Sequence, residues 1–407
     1  MEEHLQAYFV WKAQGIRGAW CWHLDAHLDI GKTGLSEQRL EFLQDCGSVA
    51  EVEAQVALGN SYLPWGGLHC GNYLYPAIRE GLVSRLTWVI PPYLPEGKLL
   101  SWARRHLNEW FDLSLREYSS LRVEGQRVVG ELLGISFEMG TLEAVEKPTE
   151  PVLLDVDLDY LLTDEGSVWR EAAEVVSVLE SVPSEVVTVA YSVKGGFTPQ
   201  EQRRLAQPFV DRWGAAQDCG EETHCWNDLD SLAALVRCHR YAEAVEAAEA
   251  LSRSVEVEFL RGTALQALER KEEVLGLWQA LLGEPGLPPD GQAYLHGLVA
   301  EICNSLGRPG PALEHSRAAQ KLDPGGFRHL WNEALAREGL GEDRKALKAL
   351  RRLVKETEHL LFGLKVRYAL ARVYQAQGKE GLARLEMQKL GQLDVTGQFR
   401  AATLLHG

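Results

Sequence analysis

The sequence has no excess of basic residues and no long apolar run. Its 42 Lys and Arg are outnumbered by 58 Asp and Glu, which gives a formal net charge of −16 at pH 7. Nucleic-acid-binding proteins usually carry a basic surface, so the charge argues against a nucleic-acid partner. No stretch of about 18 apolar residues occurs, and we therefore predict no membrane-spanning helix and no membrane partner.

Cysteine is scarce, and its residues are not arranged in closely spaced pairs. Seven Cys residues are scattered over 407 positions, and no Cys-x-x-Cys pair occurs among them. An odd number at wide spacing does not suggest the disulfide framework of a small secreted protein. The opening MEEHLQAYFVWK also lacks the positive segment and the apolar core of a signal peptide. We therefore expect a cytoplasmic protein with reduced thiols.

The first half of the chain alternates short apolar runs with helical segments. Strands are predicted at 19–24, 86–90, 152–156 and 186–190, because these runs are almost continuously apolar and end at polar residues, Pro or Gly. Strands buried on both faces of a parallel sheet have this character. A hairpin is predicted around RVEGQRVVGELLGISFEM, with Gly125 and Gly130 between its strands. The half up to residue 200 is therefore predicted to be α/β with a mainly parallel sheet.

After about residue 230 only helical patterns remain, and a turn recurs at a nearly constant interval. Taking Arg240, Lys271, Gly307, Gly341 and Gly378 as matching positions, the steps are 31, 36, 34 and 37 residues. This spacing resembles tetratricopeptide repeats (TPR), whose helix pairs occupy about 34 residues. The alternative is a helical bundle without repeats. We predict an α/β domain at 1–200, a junction at 201–230, an all-α TPR-like domain at 231–395 and a tail at 396–407.

Stacked repeats of this kind form a concave surface that can hold a peptide or a partner protein. The predicted polar candidates for such a groove are Asn304, Asn332, Arg337, Lys365 and Arg372.

Two acidic motifs follow predicted strands. In WCWHLDAHLDIG, residues 20–31, Asp25, His27 and Asp29 recur at every second position, and PVLLDVDLDYL, residues 151–161, has the same period. Side chains two residues apart on a strand share a face, and ligands of open α/β sheets bind at the carboxyl ends of the strands. Buried carboxylates without a counter-ion are costly, and a mixed carboxylate and imidazole set suits manganese, iron or zinc. The alternative is that both motifs are solvated strand ends or helix caps. The acids of the second motif are Asp155, Asp157 and Asp159.

These two motifs resemble a known family. HLDAHLD is similar to the DAHxD signature, and LLDVDLD to the DVD signature, of the arginase-like ureohydrolases. The DLDYL continuation resembles the UPF0489 branch, which includes peptide arginases that convert arginine side chains within peptides to ornithine. The resemblance implies a three-layer α/β fold of the arginase and deacetylase type over residues 1–200.

The resemblance also implies a ligand set for two Mn²⁺ ions per chain, with Fe²⁺ or Zn²⁺ as alternatives. Asp25 and Asp155 would bridge the two ions, and Asp159 is the alternative to Asp157 if the register of the strand is shifted. His23 is interpreted as a structural residue that points away from Asp25. The implied ligands of the first ion are His4, Asp25, Asp29 and Asp155, and those of the second are Asp25, His27, Asp155 and Asp157.

The implied reaction is hydrolysis of a C–N bond by a hydroxide shared between the two ions, with an arginine guanidinium of a peptide or protein as substrate and with urea and ornithine as products. His69 is the candidate proton shuttle, Asp29 is the second candidate catalytic residue, and Asn72 is either a helix cap or a substrate contact. Tyr191 and Ser192 are candidate substrate contacts, and they stand where arginases carry a glutamate that pairs with the guanidinium.

Two alternatives remain open. One is an amide deacetylase of the same fold, in which Tyr191 would stabilise an oxyanion. The other is a non-catalytic, metal-binding scaffold whose TPR-like repeats bind a partner protein. In the enzymatic interpretation, the groove of the repeats would hold the peptide or protein substrate and raise its effective concentration at the site.

Overall fold

The structure, a computed structural model, describes residues 1–32, 35–55, 62–65, 67–214 and 224–399. The chain forms two compact units. Unit 1 comprises Met1–Phe111 and Ser120–Leu268, and unit 2 comprises Asp112–Ser119 and Glu269–Gly407. The predicted domain limits stay predictions, and parts of the predicted junction (215–223) and of the predicted tail (400–407) lie outside the described residues.

The described part of unit 1 contains one mixed sheet of seven strands. They are β1 (Ala19–Leu24), β2 (Val83–Val89), β3 (Arg122–Glu124), β4 (Arg127–Leu132), β5 (Ile135–Gly140), β6 (Val152–Asp157) and β7 (Ser184–Ala190). Their order is β3-β4-β5-β2-β1-β6-β7. In this order, β5, β2, β1, β6 and β7 are each parallel to the next strand. The remaining strands, β3 and β4, form an antiparallel meander with β5. The prediction of a mainly parallel sheet is confirmed, whereas the arginase-like fold itself stays a prediction.

The central strands are apolar because helices cover the sheet. All six residues of β6 and five of the six residues of β1 are buried. Trp22, Leu154 and Val156 belong to a core cluster that also includes Val175 and Phe209 from two helices. The helices up to the end of unit 1 are α1 (Gln6–Ala13), α2 (Glu37–Asp45), α3 (Val49–Gln55), α4 (Leu74–Arg79), α5 (Leu99–Trp110), α6 (Leu115–Ser120, almost wholly in unit 2), α7 (Ala172–Leu179), α8 (Gln207–Trp213), α9 (Asp228–Arg237), α10 (Tyr241–Ala250) and α11 (Val255–Ala267).

The predicted hairpin is present, but one of its glycines has another role. Gly125 and Gly134, with φ of 63° and 79°, form the turns β3–β4 and β4–β5. Gly130 lies inside β4, where a Cβ would come within 2.8 Å of Ser120 Oγ. The prediction that Gly130 separates strands was therefore wrong, because this glycine permits a close approach of Ser120 instead.

The helices of unit 2 after α6 are α12 (Lys271–Leu281), α13 (Pro289–Ser305), α14 (Pro309–Leu322), α15 (Phe327–Gly339), α16 (Asp343–Thr357), α17 (Leu361–Ala376) and α18 (Glu380–Leu393). None of the described helices is long and apolar enough to cross a membrane.

A three-residue break with a left-handed central residue recurs from α9 to α18. The central residues are His239, Glu269, Gly307, Gly341 and Gly378, with φ between 57° and 70°. Their spacings are 30, 38, 34 and 37 residues. The predicted matching positions Arg240 and Lys271 were therefore one and two residues late.

The recurring helix–turn–helix unit predicted from sequence is present on both sides of the unit boundary. Five residues after each central turn residue lies a buried small or β-branched residue: Ala244, Val274, Ala312, Ala346 and Ala383.

Candidate metal centre

Strand pairing brings the two acidic motifs together at one edge of the sheet. β1 and β6 are parallel neighbours, with His23 opposite Asp155. The first motif therefore follows the carboxyl end of β1, and the second lies at the carboxyl end of β6, which ends at Asp157. Asp29 adopts a left-handed φ of 54°, which is where the chain after β1 turns. The backbone carbonyl of Asp25 accepts a hydrogen bond of 3.0 Å from Trp88 Nε1 on β2.

The first residues of the chain position His4 at the candidate centre. Backbone N–H groups of Tyr191 and Ser192 donate to the carbonyls of Met1 and Glu2, at 3.0 and 3.1 Å. The Glu2 carboxylate pairs with Arg203 at 2.7 Å. This segment leads directly into His4, whose side chain is fully buried.

A first cluster surrounds His4 Nδ1. This atom lies 3.1 Å from Asp25 Oδ2, 3.3 Å from Asp29 Oδ2 and 3.1 Å from Asp157 Oδ2. None of the three approaches has the geometry of a hydrogen bond, and within the described part of the chain His4 Nδ1 and Asp25 Oδ2 are buried without a hydrogen-bond partner. Buried polar atoms in proteins are normally paired.

This arrangement suits a cation. Ligand atoms held about 2.1 Å from one ion at right angles to each other lie about 3 Å apart, which is the separation found around His4 Nδ1. His4, Asp25 and Asp29 each offer one atom to such an ion. The residues present therefore fit a divalent cation bound by imidazole and carboxylate oxygens.

A second cluster shares Asp25 with the first. His27 Nδ1 lies 2.9 Å from Asp159 Oδ2 and 3.5 Å from Asp25 Oδ1, and the three side chains form another candidate ligand group. The His27 N–H donates to Asp25 Oδ1 at 2.6 Å. The His27 side chain is 39% exposed, whereas the carboxylates are buried. This histidine therefore marks the solvent side of the centre.

Asp155 lies behind the first cluster rather than between the two. Its Oδ2 accepts a 2.5 Å hydrogen bond from Tyr73 and lies 3.1 Å from His4 Nε2 and 3.0 Å from His23 Nδ1. Its Oδ1 accepts from the Thr188 hydroxyl. A carboxylate that receives the second N–H of a ligating histidine orients that ring. The bridging role implied for Asp155 stays a prediction, and the geometry favours the shifted register.

In the shifted register, the acids of the second motif that lie beside the candidate ligands are Asp157, which is next to His4, and Asp159, which is next to His27. Asp157 Oδ1 accepts the backbone N–H of Asp159 at 3.0 Å, and Asp157 Oδ2 accepts a 2.5 Å hydrogen bond from Ser192 Oγ. These bonds fix a carboxylate that lies as close to His4 Nδ1 as that of Asp25 does, at 3.1 Å.

The predicted direction of His23 was wrong. His23 Nε2 lies 3.4 Å from Asp25 Oδ2 and 3.1 Å from the carbonyl of His27. Residues two apart along a strand point to the same face, so His23 lies on the side of Asp25 and not opposite to it. Its two ring nitrogens are engaged within the network, in agreement with a structural role.

The electrostatics reflect a crowded, buried set of acids. Burial alone would lower the pKa of His4, but the charge of Asp155 and the nearby carboxylates of Asp157 and Asp25 raise it well above its usual value. Burial raises the pKa of Asp25 to about 8, with the charges of Asp159, Asp29 and Asp157 adding to the effect. Like charges and desolvation both disfavour the ionised carboxylate. A divalent cation would relieve both.

His69 and Asn72 form the loop that packs on the first motif. The Gly71 N–H donates to His69 Nδ1 at 3.1 Å, and the His69 N–H donates to Asn72 Oδ1 at 2.8 Å, which caps the short 3₁₀ helix Cys70–Asn72. Asn72 is fully buried and donates to the Gly67 carbonyl at 2.9 Å. Burial lowers the pKa of His69 to about 4, against the charge of Asp29, so the ring is neutral at pH 7. The shuttle and substrate-contact roles stay predictions.

Tyr191 and Ser192 have different surroundings. The Tyr191 ring packs against the core of unit 1, and the Arg203 guanidinium lies 4.0 Å from its centre. Ser192 is buried with a φ of 49°, and its hydroxyl is bonded to Asp157. Ser192 therefore supports a candidate ligand, and the predicted substrate contacts of both residues stay predictions.

Sequence reasoning did not identify several residues of the site. Thr188 was detectable in principle, because it is the β7 partner of Asp155 in the strand register. Tyr73 and Trp88 follow no spacing rule, since the packing of the segment before α4 brings Tyr73 to Asp155, and Trp88 of β2 reaches the backbone carbonyl of Asp25.

No family model matches the chain, and no curated protein matches it. Solved structures that it resembles include MamA proteins and a protein with TPR-like repeats. They include MamA MSR-1 (18% identity, 41% of this chain and 94% of that chain, TM-score 0.36) and MamA 41-end from Desulfovibrio magneticus RS-1 (15%, 42% and 98%, 0.37). A third contains nearly identical TPR-like repeats assigned to a kinesin light chain of Podospora anserina (18%, 42% and 95%, 0.35). At these TM-scores the likeness assigns no function to the chain.

Proposed function

We propose that unit 1 is a hydrolase of C–N bonds that depends on two divalent cations, with Mn²⁺ as the first candidate and Fe²⁺ or Zn²⁺ as alternatives. The observation that carries the proposal is His4 Nδ1, a buried ring nitrogen without a hydrogen-bond partner that has three carboxylate oxygens within 3.3 Å. We assign His4, Asp25, Asp29 and Asp157 to one cation and Asp25, His27 and Asp159 to the other.

When bound, such cations polarise a substrate and lower the pKa of a water molecule, which supplies a nucleophile at neutral pH. The chain's own residues hold this centre in place. Asp155 orients the His4 ring through Nε2, and Ser192 fixes Asp157. The neutral His69 ring has its Nδ1 engaged by Gly71, so only Nε2 is left to exchange a proton with a substrate.

The proposed substrate is an arginine guanidinium in a peptide or protein. The support is the similarity of both motifs to those of the ureohydrolases. Release of urea and ornithine distinguishes this reaction from deacetylation by the same centre, which would release a carboxylate and an amine.

The test is the metal content of protein produced with Mn²⁺, measured by mass spectrometry. We expect about two equivalents in the wild type, because two ligand groups share Asp25. Asp25→Asn should lose both, and Asp159→Asn should lose about one. Asp211→Asn, an exposed acid bonded to Gln207, is the matched control and should keep both. A wild type without Mn²⁺, Fe²⁺ or Zn²⁺ would contradict the proposal, as would full retention in Asp25→Asn.

Activity is tested next on arginine-containing peptides, with urea and ornithine as readouts. Urea formation by the loaded wild type, lost in Asp25→Asn and kept in Asp211→Asn, would support the hydrolase. A stably loaded protein that releases neither urea nor acetate from any peptide offered would favour the scaffold.

A second candidate function belongs to unit 2. A cavity of about 710 Å³ there is lined by α13, α15 and α17, and it includes four of the five predicted groove residues. Arg337 is the exception, since it is buried and paired with Glu333 and Glu342. The predicted groove residues in the lining are Asn304, Asn332, Lys365 and Arg372.

The cavity lining has three basic residues, Arg328, Lys365 and Arg372, against the two acidic residues Glu301 and Glu338, which slightly favours an acidic peptide segment. Arg372 is 3.7 Å from Glu338, but Lys365 lies 5.2 Å from the Trp331 ring centre without an ion-pair partner among the described residues. An acidic side chain could pair with Lys365 beside that aromatic surface. Lys365→Gln should weaken binding of acidic peptides, whereas Lys348→Gln on α16 should not. Equal binding of acidic and basic peptides would exclude this candidate.

A further inference from the structure

Arg237 ends α9 and reaches the loop that follows β7. Gly195 in that loop donates its N–H to Asp230 Oδ1 at 2.8 Å, and its carbonyl accepts from Arg237 Nη1. Gly196 has a φ of 71°, and a Cβ at this position would come within 2.7 Å of Arg237 Nη2. Because α9 holds both backbone groups of Gly195, the guanidinium has a defined place beside the loop.

One aromatic ring, that of Phe197, separates the same guanidinium from His27 of the candidate metal centre. Arg237 Cζ is 4.1 Å from the centre of the Phe197 ring, and that ring meets His27 edge-on with centroids 5.2 Å apart. Phe197 therefore contacts Arg237 as well as the histidine on the solvent side of the centre. Burial lowers the pKa of Arg237 to about 10, an effect opposed by negative charges that include Asp159. The guanidinium thus stays charged at neutral pH.

Arg237 differs from other arginines of the chain that are largely removed from solvent. Arg127, Arg203, Arg337 and Arg367 each lie 2.5 to 2.8 Å from a carboxylate oxygen. Within the described ranges Arg237 forms no ion pair, and its Nη2 is buried without a hydrogen-bond partner. A buried donor of a charged group that lacks a partner is costly, so the unpaired Nη2 near the candidate metal centre favours binding of an acceptor there.

We propose that Arg237 is a specificity residue that binds a carboxylate of the substrate as the substrate's C–N bond is presented to the metal centre. The inference rests on the proposed hydrolase function. A guanidinium matches a carboxylate because two parallel N–H donors meet two oxygens in one plane. The carboxylate is either the terminal group of a C-terminal arginine or an acidic side chain beside an internal arginine.

Three probes separate these sources: N-acetylarginine, N-acetylargininamide, and the amidated dipeptide N-acetyl-arginyl-aspartate. The full chain loaded with Mn²⁺ is used, and kcat/KM is compared wherever urea is formed. Where it is not, the dissociation constants are compared by calorimetry. We expect the wild type to favour one or both carboxylate probes over the neutral amide by about 10-fold to 100-fold, the range of a hydrogen bond to a charged group.

Arg237→Gln should remove this preference while the Mn²⁺ content stays at the wild-type level. Arg237→Lys should keep part of it, because the charge remains and the paired donors are lost. Arg170→Gln is the matched control, since Arg170 is also a partly buried arginine beside an aromatic ring but pairs with Glu143. It should keep the full preference.

The outcomes separate the inference from the proposed function. A wild type that does not distinguish the carboxylate probes from the amide overturns the role of Arg237, and so does an unchanged preference in Arg237→Gln. If urea is formed and its formation does not depend on Arg237, the proposed hydrolase function stands and only the proposed role of Arg237 is overturned. Carboxylate binding that depends on Arg237 in a protein without turnover would support the inference and contradict the hydrolase. If Arg237→Gln does not fold, Arg237→Lys and the wild-type comparison still decide.

Discussion

At the residue scale, the Asp155 carboxylate shows how a buried charge in this site is stabilised. Tyr73 and Thr188 donate to its two oxygens, and the imidazoles of His4 and His23 lie against Oδ2. Burial alone would raise the pKa of Asp155, but the His4 charge and hydrogen bonds from both histidines hold it well below its usual value. Asp155 is therefore ionised, and its role is to hold the rings around it.

Removal of the Tyr73 hydroxyl tests this network. Tyr73→Phe should lower the free energy of unfolding by about 1–3 kcal/mol, because the change removes a hydrogen bond to a buried, charged acceptor. Tyr75→Phe is the control, since its hydroxyl accepts from Arg79, whose side chain is 42% exposed, and the loss should be smaller. Both are measured by denaturant unfolding of metal-free protein. Equal losses would mean that Asp155 does not depend on Tyr73.

The residues of the centre differ in how far the sequence could reveal them. The two-residue period of the acids, together with parallel neighbouring strands, predicts that the acids of both motifs converge. The structure places Asp25, Asp29 and Asp157 around His4 Nδ1, and Asp159 beside His27. Whether Asp155 or Asp157 is a candidate metal ligand depends on where β6 ends. A step of two residues along the strand moves the carboxylate from behind the His4 ring to the Nδ1 side of that ring. Arg237 could not be predicted, since its place follows from the docking of α9 on the loop after β7.

At the element scale, the turns between helices depend on left-handed residues. Gly307, Gly341 and Gly378 are favourable there because glycine lacks the Cβ that makes this conformation costly. His239 and Glu269 adopt the same conformation with a Cβ. Because these two turn positions are not glycines, they could not be recognised in the sequence. The predicted turn positions were therefore shifted in the first two repeats and correct in the other three.

A pair of glycines in one hairpin tests the conformational argument. A Cβ at Gly378 or at Gly381 would meet nothing within 4 Å, but only Gly378 has a positive φ, of 67°. Gly378→Ala should destabilise unit 2 by about 1–2 kcal/mol. Gly381→Ala, inside α18, should stabilise it by about 0.5–1 kcal/mol. Opposite signs in denaturant unfolding are the expected result, and equal signs would contradict it.

Two histidines link α13 to α14. His296 Nδ1 and His315 Nδ1 are 2.8 Å apart, so one nitrogen donates and the other accepts. Burial lowers the pKa of His296, and the charges of His315 and His329 add to the effect. Burial also lowers the pKa of His315, against the charge of Glu314.

This pair predicts a loss of stability in acid. Because both pKa values are lower in the folded than in the unfolded chain, the folded state binds fewer protons, and stability falls as the pH drops below the unfolded pKa of about 6.5. The Tm of unit 2 should therefore fall between about pH 7 and pH 5, and His315→Gln should reduce that fall. Glu314→Gln should steepen it, since the charge that favours protonated His315 is gone. A Tm that is independent of pH in this range would contradict the argument.

At the scale of the whole molecule, the negative charge is partly concentrated at a single place. Five buried carboxylates meet three imidazoles in unit 1, whereas Glu333, the buried acid in the described part of unit 2, pairs with Arg337. Divalent cations should therefore stabilise unit 1 selectively, because they bind where carboxylates lack sufficient countercharge. Ligand binding to the folded state slows every opening reaction that disrupts the site.

Hydrogen exchange followed by mass spectrometry can locate this effect. At free Mn²⁺ of about 100 times the Kd, exchange in segments 19–30 and 152–161 should slow by up to about 100-fold, which corresponds to about 2.7 kcal/mol. Segments from α14 and α16 should be unchanged. Asp25→Asn should abolish the slowing, and the exposed-acid variant Asp211→Asn should retain it. Equal slowing in both units would indicate non-specific binding to the acidic surface, and no slowing in β1 and β6 would mean that the acidic motifs do not hold a cation.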